Sequence, residues 1–167
     1  MQLRVVSVIL FVGYACSCER PNARDVLRGE KTESPQIASD GCDRSLWNHV
    51  YDPRRLRQLA PCLSVTGVID ESDADPDGDQ HFLLRLDPGQ DTLVNKRNDK
   101  KKGADMVVEI VCANPTTKKK ARSACAGYTN RIAIPAVGAH VRVTGAYVID
   151  SHNGWAEVHP VSRIQSM

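Results

Sequence analysis

The chain has 167 residues, with 22 Lys and Arg against 20 Asp and Glu, for a formal net charge of +2. That length suffices for one domain with a modest core. The near-balanced charge excludes a global electrostatic drive toward nucleic acid or acidic surfaces. The first 17 residues, MQLRVVSVILFVGYACS, stand apart from that domain: Arg4 gives a positive start, Val5 to Ala15 an apolar run, and Gly13, Ala15 and Ser17 small residues near its end. This is the pattern of a secretory signal peptide, too short for a spanning helix of ~20 residues. Removing it removes Arg4 alone among the charges and leaves a net charge of +1. The expected location is the periplasm or cell envelope.

A Cys directly behind such a run resembles the lipid-attachment signal of bacterial lipoproteins. Cys16 and Cys18 compete for that role, which would anchor the chain to a membrane. Neither has the usual branched aliphatic residue three places upstream, and ordinary cleavage after Ala15 or Ser17 also fits. Residues 18–41 mix Pro, Ser, Gly and charge without apolar periodicity, so a disordered linker is expected there, with the folded domain at 42–167. Four cysteines remain in that domain: Cys42, Cys62, Cys112 and Cys125. An even count in an oxidising compartment points to two disulfides. Of the three connectivities, Cys42–Cys62 and Cys112–Cys125 each close a short local loop and are favoured.

Residues 43–60, DRSLWNHVYDPRRLRQLA, read as two short helical segments bent at Pro53. Asp43 can cap the first, Leu46, Trp47 and Val50 fall at helical spacing, and Leu56 and Leu59 continue the stripe. From Cys62 the pattern turns to strands. LSVTGVID alternates, HFLLRLD follows an acidic turn, and MVVEIVCAN follows a basic loop, NKRNDKKKGAD. A long polar connection leads to HVRVTGAYVID and, after an Asn-Gly turn, to WAEVHP, where Pro160 is expected to end the ladder. The triplet V-T-G occurs in both the first and fourth strands, at Gly67 and Gly145, where small barrels coil sharply. The fold class expected is mainly β: a small five-stranded OB-fold-like Greek-key barrel with an N-terminal helical pair. An SH3-like barrel or a β-sandwich fragment is the alternative.

The segments VYDPRRL, VTGVI, PDGDQH, VVEIVC, GAHVRVTGAYVID and HNGWAEVHP resemble a set of uncharacterised exported bacterial proteins with the same order of blocks. Those proteins end in a Gly-Trp-x-Glu-x-His-Pro motif. The resemblance covers about residues 47–161 and implies the domain and its export, but no catalytic residues.

Three features carry chemistry. Residues 70–79, DESDADPDGD, place Asp73, Asp75, Asp77 and Asp79 on alternate positions beside Gly78, which matches the first half of a calcium loop. The twelfth position is Leu84 rather than a bidentate Glu, and the competing reading is a solvated hairpin turn. Two basic runs, Lys96 to Lys102 and Lys118 to Arg122, could hold phosphates, but few aromatics accompany them, and Lys118–Lys120 can instead neutralise Asp73–Asp79. The third feature is the outward barrel face. His81 on strand two, Arg142 on strand four, and Trp155, Glu157 and His159 on strand five form the expected ligand surface for a protein, glycan or nucleic-acid partner. The rival is a metal-dependent hydrolase or nuclease, with zinc or a similar ion, calling on Asp79, His81, Glu157 and His159. Glu157 can also pair with Arg142 and carry no chemistry.

Overall fold

The computed structural model describes residues 41–167; the leader, the linker up to residue 40 and both candidate lipidation cysteines, Cys16 and Cys18, lie outside the described residues. Five strands dominate: β1 (Leu56–Ala74), β2 (Gln80–Leu86), β3 (Met106–Ile110), β4 (His140–Asp150) and β5 (Ala156–Ser166). They close in a ring in the order β1-β2-β3-β5-β4, with β4 returning to β1. The β3–β5 pairing is parallel and the others are antiparallel. The ring encloses Val65, Ile69, Phe82, Leu84, Met106, Val108, Ile110, Val141, Val143, Ala156, Val158 and Val161. These are the alternate apolar positions of each strand, as the period of two requires, except Val161, which a bulge in β5 brings back into phase.

Both V-T-G glycines sit where chains touch. A Cβ on Gly67 would meet the Arg85 carbonyl, and one on Gly145 would lie 2.8 Å from Val158 Cγ1 and 3.0 Å from Val161 Cα. Gly145 also marks a bulge: it pairs with Val161 while Tyr147 pairs with Val158, so His159 and Pro160 together oppose Ala146. Pro160 is thus accommodated at a bulge, where proline is tolerated, and β5 runs on to Ser166 instead of ending there. The His159–Pro160 peptide bond is cis.

The expected N-terminal pair of short helical segments is present on either side of Pro53 as two 3₁₀ helices, Arg44–His49, capped by Asp43, and Pro53–Arg55. Its extension to Leu56 and Leu59 is corrected, since both belong to β1. Leu56 pairs with Asp150 and Arg57 with Ile149, so pairing with a strand distant in sequence overrides the local helical spacing. The single α-helix among the described residues is α1 (Lys96–Lys102), inside the run expected to be a basic loop. Asn95 caps it by accepting from the Arg97 and Asn98 N–H groups, and Gly103 ends it at φ 63°.

A second apolar cluster covers the outer side of the ring: Leu46, Val50, Leu56, Val111, Cys112, Ala146 and Val148, with Trp47, Cys125 and Tyr128 against it. The two disulfides, Cys42–Cys62 and Cys112–Cys125, pin the segments that make this cover. The His49 ring stacks on Tyr128 at 3.7 Å, and the Asp43 N–H donates to Ser162 Oγ at 2.9 Å. No helix among the described residues is long and apolar enough to cross a membrane.

Candidate functional site

The covered outer face changes the character of the expected ligand surface. Glu157 and His159, expected to be exposed, are both 0 % exposed, and Glu109 beside them on β3 is buried. Strand alternation does turn these side chains away from the ring interior. The segments around residues 41–55 and 111–130 then close over them. Arg142 is exposed near the opposite end of β4, paired in register with Thr66 and Gln165, and it does not meet Glu157.

Glu157 instead belongs to a buried polar cluster. The Trp155 indole N–H donates to Glu157 Oε1. His159 Nδ1 lies 3.3 Å from Glu157 Oε2 and 2.8 Å from Glu109 Oε2. Arg55 Nη2 is 3.5 Å from Glu109 Oε2, and Arg55 Nη1 pairs closely with Asp150 Oδ2. On the far side of the imidazole, His159 Nε2 faces Asp79 Oδ2 at 3.8 Å, and neither atom has a hydrogen-bond partner. Asp79 Oδ1 accepts from the Cys112 N–H at 2.8 Å, so the second disulfide fixes that carboxylate.

Burial and pairing set the protonation. Burial opposes a charge on His159, but Glu109 and Glu157 overcome it and push the imidazole up to about 10. Burial raises Asp79 to about 7 against the pull of His159 and the Cys112 N–H. Glu109 is also desolvated, yet His159 beside it, the histidine hydrogen bonds and Arg55 hold it well below the usual carboxylate range. Burial raises Glu157. The cluster therefore holds Arg55 and His159 as cations around an ionised Glu109.

This cluster backs onto a cleft of about 560 Å³. Glu109 and Arg55 reach its floor, and its walls come from the β1–β2 turn, β2, α1 and the β4–β5 turn. Seven carboxylates line it: Asp52, Glu71, Asp73, Asp75, Asp77, Glu109 and Asp150, against Arg55, Lys102 and Lys118. His81 stands between Asp75 Oδ2 at 3.8 Å and Glu109 Oε1 at 3.6 Å. Burial raises the Asp75 carboxyl. Two aromatic rings line the same cleft, each under an ammonium: Lys102 Nζ is 4.4 Å from the Trp155 ring centre and Lys118 Nζ 4.3 Å from that of Tyr51.

Of the five expected ligand residues, Trp155 and His81 line the cleft, Glu157 and His159 support it from behind, and Arg142 is elsewhere. The four aspartates do not form a calcium cage. Asp79 turns inward to Cys112 and His159, Asp73 lies in β1 opposite His81, and the Asp75 N–H donates to the Asp79 carbonyl across a tight turn. Lys118 does reach Asp77 Oδ2, at 4.0 Å.

Arg55 and Asp150 escaped sequence reasoning, and Lys102 was expected only as part of a basic run rather than in the acidic cleft. Lys102 carried one readable signal, the Asn95…Gly103 cap pair that starts and stops α1. Asn98, fully buried, then ties that helix to β5 by donating to the Ala156 carbonyl and accepting its N–H. Arg97 Nε donates to the Asn153 carbonyl. These bonds aim Lys102 at Trp155. Asp150 organises the β4–β5 turn by accepting from the His152 and Asn153 N–H groups.

The fold and site together define a closed five-stranded sheet with an acidic cleft at the ends of its turns. No known family model matches the chain, and no curated protein matches it closely enough to establish kinship.

Proposed function

We propose that the chain is an exported, OB-fold-like binding module that takes a basic side chain of a protein partner into its acidic cleft. The observation that carries this reading is the excess of carboxylates over cations in a cleft that also offers Trp155 and Tyr51. Aromatic faces and carboxylates are what an ammonium or guanidinium group requires, and Lys102 and Lys118 already occupy such positions. The strand order supports the OB-like part, since a five-stranded Greek-key closure uses the β1–β2 and β4–β5 loops for ligands. One departure is that α1 lies between β2 and β3. Export is supported by the leader pattern and by two disulfides, which persist in oxidising compartments. The same carboxylates disfavour a phosphate backbone in the cleft, which sets the nucleic-acid reading below the protein one.

The test is binding of a fluorescent lysine-rich peptide and of an oligonucleotide of equal length at several salt concentrations. Peptide binding that weakens when Glu71 and Asp73 are both neutralised supports the reading. Oligonucleotide binding that resists that double change contradicts it. A second reading, a metal-dependent hydrolase, is favoured by one observation, the approach of Asp75, His81 and Glu109 beside Lys102 and Arg55. Metal-dependent cleavage of a phosphodiester or ester substrate, abolished in His81→Ala, would establish it.

A further inference from the structure

We propose that Asp75, His81 and Glu109 form a binding site for a zinc-type divalent cation at the floor of the cleft. This goes beyond the partner reading and stands without it, because the metal alone is the ligand.

The geometry comes first. Asp75, His81 and Glu109 each offer one ligand atom, and the three lie within 4.8 Å of one another. His81 Nδ1 is 3.8 Å from Asp75 Oδ2 and 3.6 Å from Glu109 Oε1. A tetrahedral zinc with bonds of ~2.0–2.1 Å separates its ligand atoms by about 3.4 Å. The two His81 separations therefore need to close by only a few tenths of an ångström, and the two carboxylate oxygens, within 4.8 Å of each other, must draw together as well. The donor set, one nitrogen and two carboxylate oxygens, suits zinc, whereas calcium takes six or more oxygens.

Glu109 is oriented for the role. Its Oε2 is held by His159 Nδ1 at 2.8 Å and Arg55 Nη2 at 3.5 Å, which leaves Oε1 facing the cleft and His81. Partners of this kind fix the orientation of a ligand carboxylate, while the positive charges of His159 and Arg55 work against a dication. Asp75 and His81 stand on the two sides of the β1–β2 turn, and that turn is closed by the Asp75 N–H donating to the Asp79 carbonyl at 2.9 Å. All three residues line the open cleft, so an ion can enter and a further ligand can complete its shell.

Lys102 opposes the ion. Its Nζ lies 3.4 Å from His81 Nε2. With a metal on Nδ1, Nε2 carries the ring proton and then faces an ammonium. Removing the lysine charge therefore tightens metal binding, the reverse of what loss of a ligand does.

The test is isothermal titration of zinc chloride into the untagged, disulfide-intact chain, with calcium chloride as comparator and circular dichroism to confirm folding. The expected result is one zinc per chain. Asp75→Asn and His81→Ala each weaken it by about tenfold or more, and Lys102→Gln tightens it several-fold. Asp75 is partly exposed, so its change leaves the fold intact. The proposal is overturned by an absence of saturable zinc binding, by calcium binding more tightly than zinc, or by zinc affinity that survives both ligand changes.

Discussion

Replacing His159 with Leu tests the buried cluster most severely. The side chain is fully buried and faces Glu109, Glu157 and Asp79. Leu keeps comparable bulk and removes the cation. The displacement of the imidazole from 6.5 to about 10 corresponds to about 5 kcal/mol at ~1.4 kcal/mol per unit. Stripping one partner from a buried ion pair costs a similar ~3–5 kcal/mol. That is a large part of the ~5–15 kcal/mol that holds a typical domain together. In urea, with slopes of ~1–3 kcal/mol per molar, the midpoint should fall by roughly 2 M. The pH dependence gives an independent check. The folded state keeps the proton up to about 10 and the unfolded state releases it near 6.5. The contribution of His159 is therefore full below the unfolded value and is lost as pH rises through the folded one. Wild-type stability should decline between about pH 7 and 9.5, and His159→Leu should lack that decline. A loss below about 1 kcal/mol, or parallel slopes in the two proteins, would refute the argument.

Three further outcomes follow from the same contacts. Asp79→Asn keeps an acceptor for the Cys112 N–H and removes a carboxylate that burial raises to about 7. Because a raised carboxylate loses stability as pH climbs from 3.8 toward that value, urea midpoints of the variant should be flatter than wild type between pH 4 and 7. Gly145→Ala drives a Cβ against Val158 and the Pro160 carbonyl, and should cost about 1–3 kcal/mol in thermal or urea unfolding. Asn98→Ala leaves the Ala156 N–H and the Asp105 and Ala156 carbonyls without their buried partner. It should cost about 1–3 kcal/mol and speed amide exchange in α1.

The strands were legible because each alternates around a single buried face, and Val141, Val143, Ala156 and Val158 reach the core as that pattern requires. The disulfide pairing was legible because each pair closes a short loop. The helical reading of Leu56 and Leu59 failed because their spacing fits a helix locally, while the strand they pair against, β4, lies about ninety residues away. The site was half legible for the same reason. Alternation correctly turned Glu157 and His159 away from the ring interior. Nothing local announced that residues 41–55 and 111–130 would close over them, or that Arg55 would reach Asp150 and Glu109. A buried histidine among carboxylates and an exposed one on a strand read identically in sequence. Only tertiary cover separates them.

The acidic cleft as the binding surface is the central claim. It is tested most directly by mapping backbone amide shifts of the isotope-labelled chain as a lysine-rich peptide is added. The account predicts shifts concentrated in residues 71–81, at Lys102 and across 150–155, saturating together with one affinity. Shifts confined to the basic residues 96–101 and 118–122, or none at a peptide excess that saturates acidic controls, would contradict it.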